Sequence, residues 1–446
     1  MRITRFLTLS VVLLAGNAAS GAQRESLEEI RDKVPYGLWL EGRETEQIPW
    51  STYGPDVTIR ADLRYQVDFS AVIRRSEPSN NLVLMARVVD RQGRPLTKVQ
   101  VIEPGPAPGP LGASLLLAAA VRSGRYALNL VLFDRMNGKY NVKFENFEVP
   151  AAPNDPLEDS LRDLPLVEFL TKPAPQPAQD RPSPPLLMDI IFGGPTGIRD
   201  VFRRIPRSRP AGSRDWVSTF SPRPFPISST APIEINVISV LSPPEEFVQQ
   251  KFFVEHYRAT LRNVLNAFSR LEPRNGAIRF TGVDLIHQTV LFDRTPMKAL
   301  DPEQLAQAIA GIPTATITLD ALAKQTARGS FFRSVLEQQI SKSEGGCAGG
   351  AVVFILIDGR ESFKDARDLS PLSVGRACRP LVYHLRAPID PLAADHIGRL
   401  IKPFNPKTFD VESWPEFRDA FRRIYADLLA IGNLGTETNF LRVTDP

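Results

Sequence analysis

Two apolar runs in the C-terminal half of the chain carry residues that could bind a cation or a partner. The run AVVFILID ends in Asp358, which Gly359 follows, and the run IEINVISVL contains Ser239 and leads into Ser242. Ligands of parallel α/β sheets sit beyond the carboxyl ends of the strands. Oxygen atoms placed at that edge suit a hard divalent cation such as Mg²⁺. They could equally form hydrogen bonds with the surface of a partner.

The elements that would position these residues alternate between strand and helix from Ile233 onward. IEINVISVL predicts a buried strand, an amphipathic helix follows it, and AIRFTGVDLI and QTVLFD predict a β hairpin. Later helices are predicted over DPEQLAQAIAGI and LDALAKQTARGSFFRSVLEQQI, strands over AVVFILID and PLVYHL, and a last helix from Trp414 to Leu429. This alternation predicts a Rossmann-like α/β domain over residues 233–432, with a doubly wound, mostly parallel sheet.

The same region resembles the von Willebrand factor type A family. Thr316 to Leu322 read TITLDAL, which is similar to the family's T-x-x-x-D-A-L helix start, and Asp358-Gly359 match its Asp-Gly after an apolar strand. The order of strand, long helix, hairpin, helix, Thr loop, helix and Asp-Gly strand also agrees. The resemblance implies protein binding at the edge formed by Ser239, Ser242, Thr316, Asp358 and Gly359.

The first strand departs from the family's metal-binding pattern. The family places Asp-x-Ser-x-Ser there, whereas this chain reads NVISVLSPPEEF, without the aspartate. A hard cation needs several well-placed oxygens, so we expect no metal and no other cofactor. The alternative is a metal-dependent adhesion module that binds Mg²⁺ or Mn²⁺ through Asp358, Thr316 and Ser239 or Ser242. On a third interpretation, Asp358 and Thr316 only cap neighbouring helices.

The two cysteines precede two of the predicted strands. Cys347 comes before AVVFILID and Cys378 before PLVYHL, and the resemblance implies that these strands are neighbours. In an oxidising compartment, a disulfide between them is expected. Two unpaired buried cysteines are the alternative.

Signatures of enzymes are missing from the sequence. The four histidines lack zinc-helix spacing, and neither a nucleophile elbow nor a phosphate loop occurs. We therefore expect no catalytic residues. A hydrolase whose active site is dispersed along the sequence remains a third functional hypothesis.

The N-terminal half has short alternating runs broken by turn residues, as in an all-β sandwich. VTIRADL, YQVDFSAVI, NLVLMARVVD and RYALNLVLFD predict strands, and Asn137-Gly138 predicts a two-residue hairpin turn before YNVKFENFEV. The stretch SGRYALNLVLFD resembles a late hairpin of immunoglobulin-like modules. Residues 151–232 carry much of the chain's proline and predict an extended connector. Two apolar islands within it, LPLVEFL and LLMDIIF, are expected to dock on a domain.

The first residues predict export. Arg2 and Arg5 precede an apolar run from Phe6 to Gly16 and then small residues, the layout of a signal peptide cleaved after Ala22. No later segment has the roughly 20 apolar residues that a bilayer crossing needs. The net charge of +4 is scattered, which argues against a nucleic-acid partner. We expect a secreted or periplasmic protein.

Together these patterns predict a multidomain, non-catalytic protein-binding or scaffold protein whose partner is unidentified. It would consist of an N-terminal immunoglobulin-like sandwich and a C-terminal type A-like domain. The predicted segments are a signal peptide (1–22), the sandwich (23–150), the connector (151–232), the type A-like domain (233–432) and a tail (433–446).

Overall fold

The chain is mixed and rich in β-sheet, with antiparallel sheets in its N-terminal half and a mostly parallel sheet in its C-terminal half. Within the residues described below, no helix is both long and apolar enough to cross a membrane. The computed structural model describes residues 35–41, 44–60, 62–73, 81–103, 105–106, 113–171, 218, 223–242, 251–297, 321, 323–343, 350–359, 363–367, 369–373, 380–386, 394–411 and 413–433.

The N-terminal region consists of two antiparallel sheets that share one apolar core. One sheet has the order β1-β9-β8-β4-β5 and the other β10-β7-β3-β2, with β6 beside β7. Apolar side chains that alternate along β3 meet those of β4 and β8 between the sheets. The elements are α1 (Tyr36–Leu40), β1 (Thr45–Glu46), β2 (Trp50–Ile59), β3 (Tyr65–Ile73), β4 (Leu82–Asp90), β5 (Gln100–Ile102), β6 (Gly105–Pro106), β7 (Ala113–Val121), β8 (Gly124–Asp134), β9 (Tyr140–Val149), α2 (Pro156–Ser160) and β10 (Val167–Phe169).

Two local predictions in this region are wrong in detail. The hairpin between β8 and β9 forms, but only Gly138 has a positive φ, and the N–H of Asp134 donates to the carbonyl of Lys139. The loop therefore spans four residues instead of two. The predicted strand VTIRADL ends at Ile59, because Leu63 has a left-handed φ of 65° and turns the chain back into β3.

Part of the predicted connector packs on the N-terminal region. The carboxylate of Asp155 accepts from the N–H of Leu157 and begins α2, where Pro156 suits the first helical turn. β10 pairs with β7 and buries Val167 and Leu170. The island LPLVEFL therefore docks as predicted, whereas LLMDIIF lies outside the described residues.

The C-terminal region is built on a six-stranded sheet with the order β15-β14-β12-β16-β17-β18. All its pairs are parallel except that of β14 with β15. All eight residues of β16 are buried, as expected of a strand covered on both faces. The elements are β11 (Phe225–Ile227), β12 (Ile233–Val240), α3 (Lys251–Phe268), β13 (Leu271–Pro273), β14 (Gly276–Asp284), β15 (Thr289–Met297), α4 (Arg328–Ser343), β16 (Ala351–Asp358), β17 (Leu381–Arg386), α5 (His396–Ile401), β18 (Lys407–Asp410) and α6 (Trp414–Asn433).

The sheet separates two apolar cores. Side chains from α3 and α6 pack on one face with Val237, Ile355 and Tyr383. Those from α4 and α5 pack on the other face with Ile238, Leu356 and Val382. The strands predicted over IEINVISVL, AVVFILID and PLVYHL, the hairpin and the last helix are confirmed. The helix predicted over DPEQLAQAIAGI lies outside the described residues.

Candidate binding edge of the C-terminal sheet

Four of the five predicted site residues lie at the edge where the order of the sheet reverses. β12 lies between β14, which follows it in the chain, and β16, which comes later. The carboxyl ends of β12 and β16 therefore flank a switch point, the place where ligands of open α/β sheets bind. Ser239, Ser242, Asp358 and Gly359 all lie there. Thr316 lies outside the described residues.

Ser239 and Asp358 lie on opposite faces of the sheet. Ser239 follows Val237 by two residues and so faces the core of α3 and α6. Asp358 follows Leu356 by two residues and faces the core of α4 and α5. β12 and β16 pair without a register shift, with Ser239 opposite Ile357. A shared contact of Ser239 and Asp358 with one small ligand is therefore not built into these strands.

Asp358 is held by a buried histidine of the next strand. Its Oδ2 contacts Nε2 of His384, and the side chains are 1% and 0% exposed. Burial disfavours the charged imidazolium, but the carboxylates of Asp358 and Asp395 outweigh that effect and raise the pKa of His384. Nδ1 of His384 has no hydrogen-bond partner among the described residues. The two side chains thus form a buried pair between β16 and β17.

The two serines differ in their hydrogen bonds. Oγ of Ser242 accepts from the N–H of Leu285 at 3.0 Å and so fixes the ends of β12 and β14 together. Oγ of Ser239 is buried and has no partner within the described part of the chain. Ser239, Ser242, Asp358 and Gly359 are all buried. A partner bound at this edge would therefore rest mainly on neighbouring, more exposed groups.

An arginine and two aspartates supply such groups, and the sequence analysis missed them. Arg386 ends β17, and its guanidinium reaches Asp395 at 2.8 Å and Asp410 at 2.7 Å. The Asp410 side chain is 44% exposed. Burial would raise the pKa of Asp395, but the Gly398 N–H, His384 and Arg386 lower it. The sequence feature that could have indicated Arg386 is a charged residue directly after the apolar run LVYHL.

The described candidates do not fit a divalent metal. Oδ2 of Asp358 faces His384, Oγ of Ser242 already accepts a main-chain N–H, and Ser239 faces the other side of the sheet. Mg²⁺ requires near-octahedral oxygen ligands. In the described ranges no three histidine, cysteine, aspartate or glutamate residues lie close enough to hold a metal.

The strands that follow the two cysteines are neighbours. β16 and β17 pair in parallel, with Val353 opposite Leu381. Cys347 and Cys378 themselves lie outside the described residues, so the disulfide stays a prediction.

Comparisons with known proteins do not place the chain in a family. A scan of protein-family models found no match, and no curated protein sequence matches the chain significantly.

Proposed function

We propose that this chain is an exported, non-catalytic protein-binding or scaffold protein that uses the carboxyl edge of its C-terminal sheet. The observation that carries the proposal is the switch point between β12 and β16, because polar or charged residues stand at the carboxyl ends of three neighbouring strands there. The partner is a protein that recognises a fixed pattern of charge.

The topology supports a type A-like, Rossmann-like assignment for this region. Numbered by their order along the chain, the six strands follow the arrangement 3-2-1-4-5-6 of doubly wound folds. β12, α3, the hairpin of β14 and β15, α4 and β16 also follow the order that the resemblance implies. The paired antiparallel sheets around one core support an immunoglobulin-like assignment for the N-terminal region.

The chemistry of the edge favours binding over catalysis. A nucleophile requires a general base within hydrogen-bond reach. Nε2 of His384 is directed at Asp358, Oγ of Ser242 accepts from the N–H of Leu285, and Ser239 faces the opposite core from His384. Arg386, Asp395 and Asp410 form a fixed array of charges, which suits orientation of a protein partner.

Capture of the partner with charge-reversed variants tests this proposal. Mature protein would be cross-linked in the envelope and secreted fractions of the producing cells, with Asp410→Lys at the carboxyl edge. Arg274→Glu is the matched control, because Arg274 is exposed at the amino end of the same sheet. We expect Asp410→Lys to lose a specific partner that the control keeps. Equal capture by both variants would contradict the proposal.

The alternative is a metal-dependent adhesion module with Asp358, Thr316 and Ser239. The buried hydroxyl of Ser239, which lacks a described partner, is the observation in its favour. A ligand that binds only the folded state raises the melting temperature. We expect Mg²⁺, Mn²⁺ and chelator to change the melting temperature by less than about 1 °C, a small shift on the usual scale. A rise of several degrees that Asp358→Ala abolishes would favour the adhesion module.

A further inference from the structure

A cavity at the junction of the two regions is separate from the carboxyl edge. It has a volume of about 290 Å³ and lies between β2 and α6. Ligand sites form preferentially at such junctions, and volumes of about 300 Å³ upward are typical of them. Its lining is mostly apolar and includes Val57 and Ile59, and the charged groups that line it, Arg418, Asp419 and Arg422, come from α6.

β2 brings to this cavity main-chain groups that have no partner among the described residues. The N–H of Arg60 donates to the carbonyl of Arg64, so the hydrogen-bonded pairs of β2 with β3 include Thr58 and Asp56. The N–H and C=O groups of Val57 and Ile59 therefore point away from β3. β2 is the edge strand of its sheet among the described strands. Buried main-chain groups are nearly always hydrogen-bonded, and Ile59 is only 6% exposed.

The two arginines that line the cavity differ in the number of hydrogen-bond and ion-pair partners that their guanidinium groups have. Arg418 donates to the carbonyl of Leu63 and forms ion pairs with Asp155 and Glu158. Arg422 contacts Asp419 through Nε and Nη2. Nη1 of Arg422 has no partner within the described part of the chain. Nε and Nη2 both donate to Oδ1 of Asp419, and the Arg422 side chain is 22% exposed, so Arg422 can still attract an anion.

We propose that this cavity binds the C-terminal residues of a peptide chain. The terminal carboxylate would accept from Nη1 of Arg422, since guanidinium groups suit carboxylates. The last peptide groups would pair with the outward main-chain groups of Val57 and Ile59, as in strand addition to a sheet edge. The small volume and the packing of α6 beside β2 favour a chain terminus over a strand that runs through.

A pair of ligands that differ in one charge tests the proposal on the full mature chain. The probe is acetyl-alanyl-valine with a free carboxylate, and the control ligand is its carboxamide. Hydrogen bonds to charged groups are the stronger ones, so we expect calorimetry to give at least about tenfold weaker binding of the carboxamide. Arg422→Gln should remove this preference, because it removes the charged donor. Arg422→Gln should still bind both ligands, now equally, an outcome that loss of folding cannot produce because an unfolded chain would bind neither.

Two further variants separate the charge from the strand edge. Arg423→Gln is the matched control on the same helix, since Arg423 is 59% exposed and does not line the cavity. It should keep the preference for the carboxylate. Val57→Pro removes an outward N–H without touching the bonds to β3 and should weaken both ligands. Equal binding of the two ligands by the unaltered protein, loss of the preference in Arg423→Gln, or unchanged binding by Val57→Pro would each overturn the proposal.

Discussion

The carboxyl edge and the junction use buried charges differently. At the edge, Asp358 and His384 lie in adjacent strands of one sheet, and their pairing follows from the register of β16 with β17. At the junction, Arg418 of α6 joins residues that are distant in the chain: the carbonyl of Leu63 and the carboxylates of Asp155 and Glu158. The edge pair therefore stabilises one sheet, whereas the Arg418 cluster stabilises the packing of two regions.

The two regions also differ in which of their charged groups are already paired and which can still bind a ligand. The side chains of Arg418 and Asp155 are 5% and 1% exposed, and burial of an unpaired charge is costly. One helical turn further, Arg422 is 22% exposed and, in the described part of the chain, pairs with Asp419 alone. The same helix thus provides one arginine for structure and another for binding. The corresponding exposed charges of the edge, Arg386 and Asp410, are paired with each other.

The largest effect is expected from removing Arg418. Arg418→Met would leave the buried carboxylate of Asp155 without its ion-pair partner. Loss of one member of a buried pair costs about 3–5 kcal/mol, and the free energy of unfolding should fall by that order in urea denaturation.

Arg423→Met is the matched control for this prediction. Arg423 lies on the same helix and pairs with Asp419, but its side chain is 59% exposed. Exposed pairs contribute about 0–1 kcal/mol. If the two variants lose similar stability, Arg418 does not hold the two regions together.

The second effect concerns the pair inside the sheet. Asp358→Asn preserves the size of the side chain and a hydrogen bond to His384 but removes the charge. A hydrogen bond to a charged group contributes about 1.5–3 kcal/mol, so the loss of stability should be smaller than for Arg418→Met. Urea denaturation measures it, with Asp293→Asn as a control, because the Asp293 side chain is 31% exposed in its ion pair with Lys342. A loss as small as that of the control would show that the charge of Asp358 is unimportant.

Patterns of apolar residues predicted most of the C-terminal strands. IEINVISVL and AVVFILID became β12 and β16, and the hairpin and the last helix formed where expected. The faces of these strands could not be predicted. Because both faces of the sheet are buried, apolar residues occur on both faces of these strands, and no regular alternation of apolar and polar residues marks one face. The sequence therefore predicted one site for Ser239 and Asp358, although the two residues face opposite cores.

Contacts between residues that are distant along the chain could not be predicted from the sequence either. Asp358 and His384 are 26 residues apart, and their meeting depends on the register of two strands. Arg418 and Leu63 are 355 residues apart. Leu63 was assigned to a strand because β propensity describes side-chain packing and does not record the backbone turn that follows Ile59. The junction cavity is formed by such contacts, and no sequence motif indicates it.

The smallest effect is a change of stability with pH. His384 has a pKa that is raised in the folded protein, so its ion pair contributes fully below the pKa of about 6.5 expected for an unfolded histidine. The contribution is lost as the pH rises through the folded pKa. In Asp358→Asn the main cause of the raised pKa is absent. The difference in unfolding free energy between the unaltered protein and Asp358→Asn should therefore shrink as the pH rises above about 6.5.

The difference in stability between the unaltered protein and Asp358→Asn reports on His384 and not on the other titratable groups around it. Asp395 and Arg386 face the same pair, and His396, whose pKa is lowered by burial and by Arg399, has the opposite pH dependence. These groups occur in both proteins, so their contributions largely cancel in the difference. Urea denaturation at fixed ionic strength measures it. A difference that stays constant over this range would mean that His384 carries no extra proton in the folded state, and that the edge pair is a neutral hydrogen bond, unlike the charged Arg418 cluster at the junction.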